Sequence, residues 1–106
     1  MKMRTPILAA LTLAGLVATP LVHADQAIAQ KAGCLACHAV DKKLVGPAFK
    51  DVAAKYKGQP DAVAKLSDKV RKGGAGNWGQ IPMPPNPEAK ISDADLKTVV
   101  EWILKS

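Results

Sequence analysis

Cys34, Cys37 and His38 carry the most specific chemical pattern in the chain. They form the motif Cys34-Leu35-Ala36-Cys37-His38, or C-x-x-C-H, which is the pattern of c-type haem attachment. Two thiols three residues apart on one turn can both reach the two vinyl groups on one edge of a porphyrin. The adjacent histidine can then place a ring nitrogen on the iron. We therefore predict that Cys34 and Cys37 form thioethers to one haem c and that His38 is an axial iron ligand.

Three other uses of the motif remain open from the sequence. A thioredoxin-like dithiol has the same spacing, but it belongs to a βαβ unit, and no strand pattern accompanies the motif. A structural zinc site takes four ligands, commonly Cys and His, whereas residues 25–106 contain two Cys and one His. A disulfide between residues three apart would close a loop too small to stabilise the chain much. Haem attachment is favoured over all three.

Met83 is the candidate for the second axial ligand. It is the only Met of residues 25–106, and it follows the only His of that range by 45 residues. Pro82 precedes it and Pro84-Pro85 follow it, and prolines restrict both their own backbone and that of the residue before them. The alternative is that Met83 only fills the core, as most methionines do. Beside a C-x-x-C-H motif, ligation of the haem iron is the favoured interpretation.

The first 24 residues have the layout of a cleaved secretory signal peptide. Lys2 and Arg4 precede an apolar stretch, Ile7–Ala18, which a proline and a Val-His-Ala ending follow. Twelve apolar residues are too few for a membrane span, which needs about 20. Covalent haem attachment in bacteria takes place on the outer side of the membrane, so we place the mature domain, residues 25–106, in the periplasm. No membrane span is expected after cleavage.

Helical spacing predominates after the leader, and no stretch alternates with the period of a strand. Apolar residues three and four positions apart predict helices over Phe49–Tyr56 and from Pro60 to Gly73, with a weaker helix over Gln26–Ala32. The clearest helix begins after an N-cap at Ser92 and ends near Lys105. The segment from Gly73 to Lys90 is rich in Gly and Pro and is expected to be a functional loop.

Composition limits the chain to one small domain. Its 106 residues are too few for a multidomain enzyme, and two cysteines exclude a scaffold of several disulfides. The formal charge is +6. The leader contains two basic residues and no acidic one, so +4 remains after its removal. With only four aromatic residues, a domain of this size usually needs additional stabilisation, such as a bound cofactor.

The sequence resembles the small bacterial class I cytochromes c, of the cytochrome c-551 and cytochrome c8 kind. The resemblance extends over essentially all of residues 25–106. It is carried by GCLACH at 33–38, VGPAF at 45–49, DVAAKY at 51–56, WGQIPMPPN at 78–86 and WIL at 102–104. It implies an all-α class I cytochrome c fold with about four helices around one covalently bound haem c. It also implies a periplasmic one-electron carrier, which is not an enzyme, between respiratory or denitrification redox partners.

Matching positions imply further contacts around the haem. The carbonyl of Pro47 should accept a hydrogen bond from the second ring nitrogen of His38, which would make the imidazole a better donor to the metal. The side-chain amide of Asn86 should approach the Met83 sulfur and orient it.

The propionate groups of the haem have three candidate partners by the same resemblance. The indole N–H of Trp78 should bind one propionate. Many relatives carry an arginine that pairs with a propionate, and this chain has Lys69 there, with Arg71 two residues later. Trp102 is expected to pack in the core.

A carrier reading predicts brief docking to other redox proteins. The positive charge favours partners with acidic surfaces, and the candidate docking residues are Lys31, Lys42, Lys43 and Lys50. The alternative is that these are ordinary solvated lysines. The resemblance implies a terminal oxidase, nitrite reductase or peroxidase as acceptor and a quinol-oxidising complex or dehydrogenase as donor. We expect a monomer without a nucleic-acid partner, since no aromatic stacking platform accompanies the basic residues.

Two other functional classes compete with the carrier. A haem enzyme or gas-binding protein needs an open sixth position and usually a distal acid–base residue, and residues 25–106 contain no second His. A sensing or structural module would use the haem only to staple the fold. The Met83 assignment argues against an enzyme, because the Met83 sulfur would occupy the sixth position of the haem iron.

Overall fold

The computed structural model describes Gly15 and residues 24–106, so most of the expected leader lies outside the described residues. Residues 24–106 form four α-helices and one short 3₁₀ turn. In chain order these are α1 (Ala24–Lys31), the 3₁₀ turn (Cys34–Ala36), α2 (Phe49–Tyr56), α3 (Ala62–Lys72) and α4 (Asp93–Leu104). This range contains no strand. The prediction of an all-α fold with about four helices is confirmed.

Helix α4 is the centre of the core because it contacts each of the other three helices. The Ser92 hydroxyl oxygen accepts a hydrogen bond from the Asp95 N–H at 3.2 Å, so the helix begins at the predicted N-cap. Its buried residues are Leu96, Val99, Val100 and Ile103. These positions recur three and four residues apart and therefore form one face of the helix.

The other helices cover this face with apolar side chains of their own. Helix α2 buries Phe49, Val52 and Ala53, and the buried residues of α3 include Leu66. Helix α1 was predicted over Gln26–Ala32 and is found two residues earlier at its start. None of the helices in residues 24–106 is both long enough and apolar enough to span a membrane.

The two longest connections carry the residues singled out for chemistry. The first runs from the 3₁₀ turn to α2 and contains the end of the C-x-x-C-H motif. The second connects α3 to α4 and contains Met83. An isolated antiparallel bridge joins Gly74 to Met83 inside this second connection, so the Gly- and Pro-rich loop folds back on itself.

Candidate haem-binding site

One cleft brings together most of the residues predicted for the site. It is open to solvent on one side. The predicted residues that line it are Cys37, His38, Pro47, Lys69, Trp78 and Met83. Val52, Leu66, Val100 and Ile103 add apolar side chains from three helices. This lining suits a largely apolar cofactor.

Cys34, Cys37 and His38 lie on one tight turn, as the motif requires. The backbone N–H groups of Cys37 and His38 both donate to the Cys34 carbonyl, at 3.2 and 3.0 Å. Both cysteines are half-buried, and neither is in a disulfide. Burial raises the pKa of the Cys34 thiol, an effect that the nearby Lys90 ammonium partly offsets. The thiol is therefore protonated at neutral pH, and both sulfurs remain available for thioether bonds.

The imidazole of His38 is held in one orientation. Its Nδ1 lies 2.8 Å from the Pro47 carbonyl oxygen, and because a carbonyl only accepts, Nδ1 carries the proton. The lone pair is then on Nε2, the nitrogen left for a metal. The ring also stacks on Phe49, with centroids 5.2 Å apart and planes 20° apart. The rings of Phe49 and Trp102 pack edge to face, with centroids 5.5 Å apart. Trp102 therefore packs against the ring on which His38 stacks.

Gly46 allows the His38 ring to lie directly against the backbone. A Cβ at this position would contact Cε1 of the ring and would lie 2.8 Å from Nδ1, closer than a Cβ approaches such atoms. The Gly46 N–H donates to the Cys37 carbonyl at 2.7 Å. The sequence did not indicate that Gly46 or Phe49 contacts the His38 ring. Their position on either side of Pro47 in the VGPAF segment was the only sign of such a contact.

Met83 is half-buried and lines the same cleft as His38. Its N–H donates to the Gly74 carbonyl at 2.8 Å, and the Gly74 N–H donates back to the Met83 carbonyl at 3.0 Å. Gly73 has φ of +68°. A Cβ there would collide with the Met83 carbonyl and lie 2.9 Å from the carbonyl carbon of Pro84. Glycine therefore lets the Met83 segment rest on the end of α3.

Asn86 bonds to backbone carbonyls in the structure, and the approach of its amide to the Met83 sulfur stays a prediction. It is buried, and its Nδ2 donates to the carbonyls of Val70 at 3.1 Å and Pro84 at 3.2 Å. Its backbone N–H also donates to the carbonyls of Val70 and Arg71. The last carbonyls of a helix lack partners within the helix. Asn86 supplies those partners for α3, so its amide hydrogens are used there.

Lys69 and Arg71 are separated by the fold, although only Val70 lies between them in the sequence. Lys69 lines the cleft, and Arg71 does not. Its guanidinium donates to the carbonyls of Asn86 at 3.1 Å and Ile91 at 2.6 Å, and to Oδ1 of Asp93 at 2.6 Å. Lys69 remains the basic candidate at the cleft.

Trp78 lines the cleft and has 37% of its surface exposed. The ammonium of Lys55 lies 4.6 Å from the centre of its ring and donates to the Asn77 carbonyl at 3.3 Å. A cation over an aromatic face is attracted by the ring quadrupole. Lys55 therefore joins α2 to the loop that carries Trp78, a contact that the sequence did not indicate.

The four lysines proposed for docking, Lys31, Lys42, Lys43 and Lys50, are all exposed. Lys43 also lines the cleft. Three large apolar side chains of this region are exposed as well: Leu44, Val45 and Ile81. We call Lys43, Leu44, Val45 and Ile81 the rim. Within residues 24–106, no group of three or more His, Cys, Asp and Glu side chains could hold a metal ion, so the zinc alternative finds no ligand set there.

Comparison with known proteins agrees with this geometry. The family model described as cytochrome c matches residues 24–106. Cytochrome c-551 of Allochromatium vinosum is 55% identical over 85 residues, which cover 80% of this chain and 88% of that protein. Cytochrome c-552 of Nitrosomonas europaea is 46% identical, with 96% of this chain and 97% of that protein covered.

The solved structures show the same similarity at the level of the fold. The crystal structure of wild-type Nitrosomonas europaea cytochrome c552 superposes with a TM-score of 0.71 at 51% identity. The superposition covers 76% of this chain and 96% of that chain. Family, relatives and fold agree, and the chain therefore belongs to the cytochrome c family of small electron carriers that bind one covalent haem c.

Proposed function

We propose that this chain is a periplasmic monohaem electron carrier whose iron is bound by His38 and Met83. One observation carries the proposal. The imidazole of His38, with Nε2 left free by the bond to Pro47, lines the same apolar cleft as the thioether of Met83. Cys37 lies in that cleft and Cys34 lies on the turn beside it, so the attachment residues and both axial ligands belong to one site.

Bound haem would supply the proposed carrier with an iron that gains or loses a single electron. His38 keeps one tautomer through Pro47, and the bond increases the donor strength of the imidazole. The soft thioether of Met83 favours the reduced metal and raises the reduction potential. With both axial positions taken, no position is left for a substrate, which supports a carrier over an enzyme.

The surroundings favour fast transfer because they restrict movement of the Met83 segment. The apolar side chains of the cleft exclude water from the site and lower its local dielectric. The prolines beside Met83 and its two backbone bonds to Gly74 restrict that segment. We propose that Lys69 and Trp78, which line the cleft, bind the propionates.

The Met83 assignment is tested by optical spectra of the holoprotein with carbon monoxide added to the reduced form. We expect an iron–sulfur charge-transfer band and no response to carbon monoxide. The variant Met83→Ala should lose the band, bind carbon monoxide and have a lower potential. Ile81→Ala removes an apolar side chain from the same loop and serves as the matched control, with unchanged spectra. Unchanged spectra in Met83→Ala as well would overturn the assignment.

The rim supports docking to acidic redox partners, and the oxidase, reductase, peroxidase and donor classes named above remain candidates. Exposed apolar side chains beside Lys43 favour a small, transient interface. The electron-transfer rate with an acidic partner should fall as salt increases, and Lys43→Gln should weaken the salt dependence. Lys97→Gln, an equal charge change on α4, is the control. A rate independent of salt would contradict steering by charge.

The periplasmic location and the removal of residues 1–24 are part of the same proposal. The family match begins at residue 24, close to the cleavage point that the leader indicates. The mass of the purified haem protein and cell fractionation test both points. A haem protein that retains residues 1–24, or one found in the cytoplasm, would contradict them.

A further inference from the structure

We propose that Arg71 is a positioning residue that holds Met83 on the haem iron. The proposal rests on the proposed His38–Met83 ligation and adds to it the group that controls how often the thioether dissociates from the iron. Arg71 lies outside the cleft and therefore acts through the loop that carries Met83, without touching the cofactor.

The guanidinium of Arg71 joins the end of α3 to two points beyond Met83. It donates to the carbonyl of Asn86 at 3.1 Å and to the carbonyl of Ile91 at 2.6 Å. A second nitrogen lies 2.6 Å from Oδ1 of Asp93, in the first turn of α4. Only 21% of the Arg71 side chain is exposed, so its bonds to the Asn86 and Ile91 carbonyls are screened less than surface pairs. The Asp93 side chain is 82% exposed, so solvent screens the ion pair more than these two bonds.

The loop that carries Met83 is consequently held to α3 at both of its ends. Its start follows α3 directly, because Gly73 caps that helix with a bond to the Lys69 carbonyl of 2.7 Å. Its far end is held by Asn86, which bonds to the Val70 carbonyl, and by Arg71. Without Arg71 the far end loses three hydrogen bonds, and the carbonyls of Asn86 and Ile91 lose a partner inside the fold.

Lys72 offers a way to separate the position of Arg71 from positive charge on α3. It is the next residue, it is 75% exposed, and its ammonium pairs with Asp68 of the same helix at 2.9 Å. Its ion pair lies entirely within α3 and makes no link to the loop. Lys72→Gln therefore removes the same charge as Arg71→Met and leaves the loop attached, which makes it the matched control.

Exogenous imidazole measures the release of Met83 from ferric iron, because it occupies the position only when the thioether is absent. Its apparent affinity is proportional to the fraction of open molecules. Loss of hydrogen bonds from a charged group predicts that Arg71→Met binds imidazole about tenfold more tightly or better. Lys72→Gln should stay within about twofold of the wild type. Arg71→Lys, which keeps the charge without the fork of donors, should fall between them.

Two further measurements separate positioning from general stability. In Arg71→Met the iron–sulfur band should be lost at a temperature well below the loss of far-ultraviolet helix signal. In a Met83→Ala background, Arg71→Met should leave imidazole affinity unchanged, because the group it positions is gone. If Arg71→Met fails to fold, Asp93→Ala removes one of the three bonds and should still raise the affinity above that of Lys72→Gln.

Imidazole affinities for Arg71→Met and Lys72→Gln that agree within about twofold would overturn the proposal, as would an undiminished effect in the Met83→Ala background. Failure of the ligation itself is recognised separately. In that case the wild-type protein would lack the iron–sulfur band before any change at Arg71 is made.

Discussion

Replacing Gly73 by alanine tests how closely the Met83 segment lies against the end of α3. The new Cβ would collide with the Met83 carbonyl and lie 2.9 Å from backbone atoms of Pro84 and Pro85. These are main-chain atoms, so no flexible side chain can turn away. The backbone of Gly73, with φ 68° and ψ −154°, is also one that only glycine adopts readily.

Gly58 provides the control that separates these two costs. It too has a positive φ, +79°, but a Cβ there meets nothing within 4 Å. Gly58→Ala should therefore cost only the backbone strain, about 1–2 kcal/mol. Gly73→Ala should add overpacking of about 1–3 kcal/mol to a strain of about 1–3 kcal/mol, for a total of about 2–6 kcal/mol. Small domains have about 5–15 kcal/mol of stability in all.

Guanidinium unfolding of the two holoproteins measures the free energies, and the iron–sulfur band measures Met83 ligation in the same samples. We expect Gly73→Ala to lose more stability than Gly58→Ala and to lose the band at lower denaturant, because the Met83 segment is what must move. Equal losses in the two variants would refute the steric argument. A band as resistant as that of the wild type would show that the segment does not move.

Two further substitutions test other contacts. Gly46→Ala should displace the His38 ring and weaken the bond to Pro47. We expect the free energy of unfolding to fall by about 1–3 kcal/mol and the reduction potential measured by voltammetry to shift. A potential equal to that of the wild type would contradict the argument. Ser92→Ala removes the acceptor for the Asp95 N–H and should cost about 1 kcal/mol without changing the visible spectrum, and an unchanged unfolding midpoint would exclude a capping role.

The helices could be predicted because their signals are local. Ser92 precedes α4 with an oxygen for the exposed N–H groups, and Gly73 follows α3, so both boundaries are written within a few residues. The C-x-x-C-H turn is equally local, because the bonds that close it, from the N–H groups of Ala36, Cys37 and His38, have acceptors within residues 33–38.

The contacts of Arg71, Asn86 and Lys55 could not be predicted, for a common physical reason. Each side chain has partners far away in sequence: those of Arg71 lie 15 to 22 residues later, and the partner of Lys55 lies 22 residues later. The acceptors are mostly backbone carbonyls, which every residue has. For Asn86, the acceptors are the carbonyls of Val70 at the end of α3 and of Pro84.

The central position of α4 has a consequence for the order in which this protein can be assembled. The attachment turn is made early in synthesis and is shaped by its immediate neighbours. The cleft also needs Val100 and Ile103, and α4 is the helix against which the other three pack. The thiols thus stay accessible on an unfolded chain until α4 packs against the other three helices. Haem attachment can therefore precede packing of the helices, and packing of α4 then encloses a haem that is already attached.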